Sequence, residues 1–211
     1  MCCVFTGLAI VSSVTQPTDP VLELFHDTGA YLRGHFRLTS GLHSREYLQC
    51  ALVLQHPEHA QELGARLAAA LRGIVAQVRL VASPALGGLI IGHETARALG
   101  ARHIFTERDP ATSKMVLRRG FTVEPGEPAV VVEDVVTTGG STRDVVEVLR
   151  QAGANVLAAG SIIDRSGGHA DVGVPRVSLV TMNVVTYPPD NCPLCQQGIP
   201  VTKPRSRPSA G

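Results

Sequence analysis

The stretch AVVVEDVVTTGGST, residues 129–142, decides the fold of this chain. It places an apolar strand, an acidic pair and a Thr/Gly loop directly before a predicted helix. Val130, Val131 and Val132 form a β-branched run that is typical of a strand buried on both faces of a parallel sheet. The two glycines of the loop let the backbone approach a ligand closely. Because free N–H groups at a helix N-terminus attract anions, the loop predicts a phosphate site that needs no lysine.

Glu133 and Asp134 come between this strand and the loop, where we expect the strand to leave the core. Two carboxylates beside a phosphate would repel the ligand unless they accept hydrogen bonds from neutral hydroxyls or from metal-bound water. Ribose hydroxyls and hydrated Mg²⁺ meet that condition, so the stretch indicates a pocket for a phosphorylated sugar. The alternative is that the acids merely end a strand and that the Thr/Gly residues form an ordinary turn and helix cap.

Hydrophobic periodicity predicts alternating helices and strands, which are typical of α/β folds. The predicted helices cover residues 20–28 and 56–74, and a third ends at Gly100. A strand pair is expected at 36–54, broken at Ser40 and Gly41. The remaining predicted strands cover 78–82, 103–106, 130–133, 156–163 and 177–182. We expect a mostly parallel sheet with helices on both faces.

Ligands bind beyond the carboxyl ends of the strands in such sheets. Four segments follow predicted strands at that edge, namely residues 83–88, 107–115, 133–141 and 164–168. We therefore expect these segments to converge on one shared site, although any single one of them is also compatible with a plain connection.

The acidic pair and its loop resemble the signature of the type I phosphoribosyltransferases, which binds phosphoribosyl pyrophosphate. Further stretches are similar to the orotate phosphoribosyltransferases: GHFRLTSGLHSREYLQ (34–49), FTERDPATSKMVLRRGF (105–121), GSIIDRSGG (160–168) and YPPDNCPLC (187–195). The resemblance covers nearly the whole chain after Pro20. It implies the type I phosphoribosyltransferase fold, in which a small N-terminal hood stands over the mostly parallel sheet.

The resemblance also implies an Mg²⁺-dependent glycosyltransferase (a pentosyltransferase) of pyrimidine biosynthesis. Such an enzyme transfers the 5-phosphoribosyl group from phosphoribosyl pyrophosphate to orotate, giving orotidine 5′-monophosphate and pyrophosphate. Mg²⁺ would be held mainly through substrate and water, with no direct protein ligand. The residues implied in binding phosphoribosyl pyrophosphate are Glu133, Asp134, Val135, Val136, Thr137, Thr138, Gly139, Gly140 and Ser141.

Orotate presents a carboxylate, so its pocket needs a cation. Arg165 is the predicted partner, since a guanidinium can bind a carboxylate in a bidentate manner. The resemblance implies that Thr137 contacts orotate as well. It also implies a catalytic role for Asp134, in addition to its role in binding phosphoribosyl pyrophosphate. The alternative for Arg165 is a local ion pair with Asp164 at the end of a strand.

The polar loop 108–114 lies between two apolar stretches and is expected to be mobile. Arg108 and Lys114 are predicted catalytic residues, because a closing loop would exclude water and bring positive charge to the leaving pyrophosphate. By resemblance, the loop reaches into the neighbouring site of a homodimer. It is shorter and less basic here than in the enterobacterial and fungal relatives, so the individual roles of Arg108, Lys114, Arg118 and Arg119 stay open.

Length and composition fit a single enzyme domain, since 211 residues with 44% hydrophobic residues can bury a sizeable core. A net charge of +1 and an aromatic content of 4% without Trp argue against nucleic-acid binding. Residues 1–19 are predicted to be a disordered or non-native extension that is too short to span a membrane. Residues 20–211 are predicted to form one domain, with the hood at about 20–55 plus the C-terminal segment and the core at about 56–185.

Five cysteines are an odd number for a disulfide framework and favour a reducing cytoplasm. Cys192 and Cys195 form one C-x-x-C, which is half of a structural zinc site, and no second Cys/His pair follows it. His56 and His59 are spaced for a metal, but they flank Pro57 at a predicted helix start, where we expect them to be solvated. We therefore expect no zinc, and the family resemblance implies none.

Three alternatives stay open. A purine or uracil phosphoribosyltransferase would share the pocket at 133–141 without the context of Arg165. A non-enzymatic regulator that senses phosphoribosyl pyrophosphate would normally carry a nucleic-acid-binding element, and the sequence shows none. A generic nucleotide-binding domain would show G-x-G-x-x-G after a strand or G-x-x-x-x-G-K-[ST], and the sequence has neither.

Overall fold

The computed structural model describes residues 19–38 and 40–203. The predicted extension, except for Asp19, lies outside the described residues. The helices are α1 (Pro20–Asp27), α2 (Cys50–Leu54), α3 (Pro57–Arg72), α4 (Gly88–Leu99), α5 (Gly140–Gln151) and α6 (Pro193–Gln196), with a 3-10 turn at Pro189–Asn191. The strands are β1 (Tyr31–Arg37), β2 (His43–Leu48), β3 (Leu80–Pro84), β4 (Arg102–Arg108), β5 (Met115–Leu117), β6 (Pro128–Val136), β7 (Asn155–Asp164), β8 (Arg176–Thr181) and β9 (Thr186–Tyr187).

The central sheet has six strands in the order β5-β4-β3-β6-β7-β8. All neighbouring pairs are parallel except β4 and β5, which are antiparallel. The predicted mostly parallel α/β sheet is therefore confirmed. The carboxyl ends of β3, β6 and β7 lie side by side, and this arrangement brings three of the predicted segments to one edge.

Alternate residues of β6 face opposite sides of the sheet and join two separate cores. Val130 and Val132 pack in the cluster that contains residues of α3 and α4, while Ala129 and Val131 pack in the cluster that contains residues of α5. All four side chains are fully buried. The β-branched run thus forms a central strand with helices on both faces, as the sequence predicts.

A second, three-stranded antiparallel sheet stands over the carboxyl end of the central one, and we call it the hood. Its order is β1-β2-β9, so the C-terminal segment returns to pair with the N-terminal hairpin. His43 pairs with Tyr187 and Ser44 with Thr186, and the hydroxyl of Ser44 lies 3.3 Å from the carbonyl oxygen of Val185. None of the helices in the described ranges has the length and apolar character that a membrane span requires.

Two predicted boundaries are wrong. The strand pair begins earlier than residue 36 and ends at Leu48, because Cys50, Val53 and Leu54 form the buried face of the short helix α2. Strand β6 continues through Val136, so the acidic pair lies inside the strand rather than beyond it. The helix predicted at 56–74 is confirmed as α3, with Pro57 in its first turn.

Candidate active site

A cavity of about 400 Å³ opens between the hood and the carboxyl end of the central sheet. Its sheet wall contains Asp134, Val135, Thr137, Thr138 and Arg165. The structure therefore brings together the predicted base-binding pair, Thr137 and Arg165, with one of the two predicted acids. Their meeting follows from the topology, because β6 and β7 are adjacent parallel strands that end at the same edge.

The hood wall contains residues that the sequence analysis did not assign to the site. Leu38, Ser40, Leu42 and Tyr47 come from the β1–β2 hairpin, and Thr186 comes from β9. The available signal was the stretch 34–49, which carries the family resemblance without any residue of evident catalytic chemistry.

The loop before α5 has the geometry of an anion cradle. Gly139 adopts φ +79°, and a Cβ there would lie 2.9 Å from Cγ1 of Val172, so a larger residue would be both strained and crowded. Among the described residues, no acceptor is bonded to the backbone N–H groups of residues 138–141. These groups sit at the positive end of the α5 dipole and are therefore available to a phosphate.

Burial raises the pKa of both predicted acids. The pKa of Glu133 rises to about 7, mainly through desolvation, although the hydroxyl of Thr142 donates a hydrogen bond to its carboxylate and opposes the rise. Desolvation likewise raises the pKa of Asp134. Two adjacent, partly buried carboxylates of this kind ionise most easily when a cation or hydroxyl donors approach them.

The segment after β3 packs directly on Asp134. A Cβ placed on Gly87 would lie 2.7 Å from Oδ1 of Asp134, so glycine is needed for this close approach. The peptide bond between Ala85 and Leu86 is cis. The predicted convergence of segments 83–88 and 133–141 is confirmed by this contact.

Arg165 does not pair with Asp164. Instead, Asp164 accepts a 2.7 Å hydrogen bond from Nη1 of Arg176, together with bonds from the backbone and hydroxyl of Ser166. Burial would raise the pKa of Asp164, but these hydrogen bonds outweigh it and hold that pKa below its usual value. The predicted alternative of a local Asp164–Arg165 ion pair is wrong.

The guanidinium of Arg165 is half-buried, and desolvation lowers its pKa. Its Nε has no hydrogen-bond partner, and no carboxylate of the described chain forms an ion pair with it. The backbone N–H of Arg165 donates to the carbonyl of Val136 at 2.8 Å, which fixes the residue beside Thr137. A half-buried cation held in this way is suited to a ligand carboxylate.

The loop between β4 and β5 is a hairpin tip that begins near the anion cradle. Arg108 donates to the hydroxyl of Ser141 at 3.2 Å and to the carboxylate of Asp144 at 3.3 Å. Asp109 accepts two backbone N–H bonds within the loop and pairs with Arg118. The predicted mobility of this loop stays a prediction.

No protein-family model matches the chain. An orotate phosphoribosyltransferase of Pelotomaculum thermopropionicum is 52% identical over 189 residues, which cover 90% of this chain and 97% of that relative. This chain belongs to the orotate phosphoribosyltransferase family. The orotate phosphoribosyltransferase structure from Aeropyrum pernix has a TM-score of 0.61 at 28% identity and covers 76% of this chain and 93% of that one.

A second solved structure supports the fold alone. It is the Mycobacterium tuberculosis H37Rv orotate phosphoribosyltransferase in complex with phosphoribosyl pyrophosphate, with a TM-score of 0.59 at 22% identity over 78% of this chain and 96% of that one. The type I phosphoribosyltransferase fold implied by the sequence motifs is thereby confirmed.

Not every predicted site residue of this family member borders the cavity. Lys114 is exposed in the hairpin loop, and Arg108, Glu133 and Gly139 lie outside the cavity lining. Arg119 forms a two-point ion pair with Glu107 on the exposed side of the β4–β5 hairpin. Arg108 nevertheless contacts the anion cradle of its own chain through Ser141, whereas Lys114 does not line its own chain's cavity.

Cys192 and Cys195 have histidine neighbours in the hood that the sequence did not predict. The pair Cys192 and Cys195 was expected to lack metal-binding partners because no Cys or His pair follows it. The structure places His35 and His43, which precede the pair by about 150 residues, within hydrogen-bond distance of its sulfur atoms. Strand pairing in the hood brings the two halves together, and sequence spacing does not show this.

Proposed function

We propose that this chain transfers the 5-phosphoribosyl group from phosphoribosyl pyrophosphate to orotate, giving orotidine 5′-monophosphate and pyrophosphate in pyrimidine biosynthesis. The observation that carries the proposal is the half-buried, unpaired guanidinium of Arg165 beside Thr137, in the cavity that also contains Asp134. Family membership supports it, since a relative of 52% identity bears the name of this activity.

The phosphoribosyl end of the donor fits the loop and the acids. The free N–H groups of residues 138–141 would bind the 5′-phosphate, because they combine unpaired donors with the helix dipole. The carboxylates of Glu133 and Asp134 would accept hydrogen bonds from the ribose hydroxyls. Together these groups fix the position of the anomeric carbon, which is a major source of rate enhancement in a two-substrate reaction.

The donor set also fits Mg²⁺. Glu133 and Asp134 offer hard oxygen atoms, and a nearby divalent cation would favour their ionisation, which burial opposes. Asp134 lines the cavity and would hold hydrated Mg²⁺ through water, the remaining ligands coming from the substrate. When bound, the ion would neutralise charge on the pyrophosphate.

Orotate would lie in the part of the cavity between Arg165 and the hood. The guanidinium of Arg165 would bind the carboxylate through two parallel N–H donors, and the hydroxyl of Thr137 would contact the ring. Tyr47 lies across the cavity, where its ring can cover the pyrimidine face. Uracil lacks the carboxylate, so the site would favour orotate over uracil.

The reaction we propose is a displacement at the anomeric carbon. A ring nitrogen of orotate attacks, the new C–N bond forms as the C–O bond to pyrophosphate breaks, and the pyrophosphate leaves with the bonding electron pair. The proton of the attacking N–H is released. No protein nucleophile is needed, so the protein acts by positioning and by charge stabilisation, with Arg108 and Lys114 assisting departure of the pyrophosphate.

We also propose a homodimer in which loop 108–114 serves the neighbouring site. Lys114 is exposed and lies outside the cavity of its own chain, which supports action on a second chain. Sedimentation should give the mass of two chains. Mixing the impaired Lys114→Ala and Arg165→Ala proteins should give more activity than the sum of the two alone, because a mixed dimer contains one site with both residues; no gain on mixing would argue for action within one chain.

The reducing cytoplasm is the proposed location, supported by the free thiols of Cys50, Cys192 and Cys195.

The decisive experiment is to mix the purified protein with phosphoribosyl pyrophosphate, Mg²⁺ and one base at a time. Orotate should be consumed, as followed by loss of its absorbance, while adenine, guanine and uracil should react far more slowly. Preferential use of a purine or of uracil would identify another phosphoribosyltransferase. Binding of phosphoribosyl pyrophosphate without turnover of any base would indicate the non-enzymatic regulator.

A further inference from the structure

Four metal-binding side chains meet in the hood, away from the cavity lining. They are His35 of β1, His43 of β2, and Cys192 and Cys195 at the start of α6. One ligand atom from each lies within 4.8 Å of the other three. The two histidines and Cys192 are buried, and Cys195 is exposed. A mixed pair of sulfur and imidazole ligands is a common set for structural zinc.

Three of the six separations between these atoms match the edges of a tetrahedron around zinc. Nε2 of His35 lies 3.5 Å from Sγ of Cys192 and 3.7 Å from Sγ of Cys195, and Nδ1 of His43 lies 3.3 Å from Sγ of Cys195. Bonds to Zn²⁺ of about 2.0–2.1 Å for nitrogen and about 2.3 Å for sulfur would separate neighbouring ligand atoms by roughly 3.3–3.8 Å. Of the other three separations, the one between the two ring nitrogens is shorter at 2.9 Å, and the two that involve Cys192 with His43 or Cys195 are within 4.8 Å.

The ring of His35 is also oriented as a metal ligand would be. Its Nδ1 lies 2.7 Å from the carbonyl oxygen of Ile199, which can only accept, so Nδ1 carries the proton and donates it. In the neutral ring, Nε2 then presents a lone pair to the other three side chains. A backbone carbonyl that fixes the outer nitrogen in this way is the usual support for a zinc-bound histidine.

We propose that His35, His43, Cys192 and Cys195 bind one Zn²⁺ as a structural site. The four side chains complete a tetrahedral set and leave no position for a substrate, so the site would not be catalytic. It would join the N-terminal hairpin to the C-terminal segment, which also contact each other through the short β2–β9 pairing and the bridge between Phe36 and Thr202.

The proposed zinc site lies beside a hairpin turn that lines the cavity. His35 and His43 flank the hairpin turn that carries Leu38, Ser40 and Leu42, and these three residues line the cavity. Zinc would therefore hold the ends of a segment that forms part of the hood wall. Loss of the metal should loosen this wall and raise the KM for the base more than it lowers kcat.

The competing arrangement is a hydrogen-bonded cluster without metal. In that case Nδ1 of His43 would carry a proton and donate it to Nε2 of His35 across the 2.9 Å separation, with two free thiols beside them. A disulfide between Cys192 and Cys195 would be a second arrangement. Both differ from the zinc site in metal content and in the state of the thiols.

Metal analysis of the purified full-length chain tests the proposal directly. Protein prepared under reducing conditions without added chelator should contain about one equivalent of Zn²⁺ per chain after gel filtration. Replacement with Co²⁺ should give the visible absorption of a tetrahedral site with two thiolate ligands. Protein that contains no metal and takes up neither Zn²⁺ nor Co²⁺ would overturn the proposal, as would a Cys192–Cys195 disulfide found under these conditions.

Substitution of the proposed ligands tests where the zinc is bound. Cys195→Ser changes an exposed ligand conservatively, and His43→Gln removes a ligand from the hairpin; each should lower the bound zinc several-fold and lower the Tm by about 5 °C or more. The double variant His56→Ala/His59→Ala is the matched control, because these two histidines lie at the start of α3 and are not among the proposed ligands. The control protein should contain as much zinc as the wild type. If the control loses zinc and both ligand variants keep it, the site is elsewhere.

A chelator gives a readout that does not depend on mutation. Treatment of the wild-type chain with a strong zinc chelator should lower its Tm, and adding back Zn²⁺ should restore it. The Cys195→Ser chain should show little of either effect. A wild-type Tm that is indifferent to chelator and to Zn²⁺ would count against a structural metal.

Discussion

The two walls of the cavity are built from different kinds of sequence. The sheet wall comes from two short stretches, residues 134–138 and Arg165, which lie at the ends of the adjacent parallel strands β6 and β7. The hood wall joins the β1–β2 hairpin to the C-terminal segment, and its Ser44–Val185 contact spans 141 residues of sequence. A wall made from a contiguous motif can be recognised in the sequence, whereas a wall made by long-range pairing has to be seen in the structure.

The largest expected effect lies in the sheet wall. Arg165→Ala should lower kcat/KM for orotate by about 100-fold or more, because it removes the half-buried cation that we propose binds the orotate carboxylate. Binding of phosphoribosyl pyrophosphate, measured by calorimetry, should change little. Stability should not fall much, since the guanidinium has no ion-pair partner in the described chain.

Arg97→Ala is the control for this variant, because Arg97 is exposed on α4 and forms an ion pair with Glu94 on the same helix. It should leave orotate kinetics unchanged. Unchanged orotate kinetics in Arg165→Ala would instead show that Arg165 does not bind the base. Residues of the hood wall would then be the candidates for orotate binding.

The second-largest expected effect is in loop 108–114, where a substitution distinguishes a catalytic role from a structural one. Lys114→Ala should lower kcat at least about tenfold, because a positive charge near the departing pyrophosphate is lost. Its Tm should stay within about 1 °C of wild type, since the side chain is exposed. Lys203→Ala is a matched control, as Lys203 is also exposed. A fall in Tm with unaltered turnover would assign Lys114 a structural role.

A smaller effect is expected from the hood wall. Tyr47→Ala should raise the KM for orotate about tenfold while kcat changes less, because the ring contributes apolar contact rather than charge. Tyr31→Ala is the comparison, since Tyr31 lies in the same hairpin, donates to Glu46 and does not line the cavity. Equal effects of the two substitutions on KM would mean that Tyr47 acts only through hood stability.

The sequence predicted the core better than the hood, and the reason is physical. The run at Val130–Val132 and the helix at α3 follow local periodicity, so their burial is encoded within a few residues of chain. The three strands of the hood and the partners of Cys192 depend on which distant segments pair. Even within the core, local signals failed at the end of β6, where Val135 and Val136 extend the strand beyond the acids by pairing with β7.

The ion pairs around Arg165 also could not be predicted from neighbouring residues in the sequence. Adjacency in sequence left an ion pair between Asp164 and Arg165 as the alternative, but successive residues at a strand end point in different directions. Asp164 turns towards Arg176, twelve residues on, and leaves Arg165 free for a ligand. The role of Arg165 in binding orotate stays a prediction from its chemistry, while the fold shows why its guanidinium is available to a ligand.

The smallest expected effect concerns Glu133 in the absence of substrates. Its pKa in the folded protein is about 7 against an ordinary 4.5, mainly because burial disfavours the charged form. The folded state therefore holds a proton that the unfolded state has lost between these two values, and stability should fall as pH rises through that window. The loss should be at most a few kcal/mol and should persist above pH 7.

Urea unfolding at several pH values between about 5 and 8 measures this slope. Glu133→Gln should flatten it, because the amide does not ionise; some slope should remain from Asp134, whose pKa burial also raises. Glu147→Gln, an exposed site on α5, should keep the wild-type slope. Saturating phosphoribosyl pyrophosphate with Mg²⁺ should reduce the slope in the wild type, since ligands that favour the ionised acids lower their pKa. A slope unaffected by Glu133→Gln would show that other groups control the pH dependence.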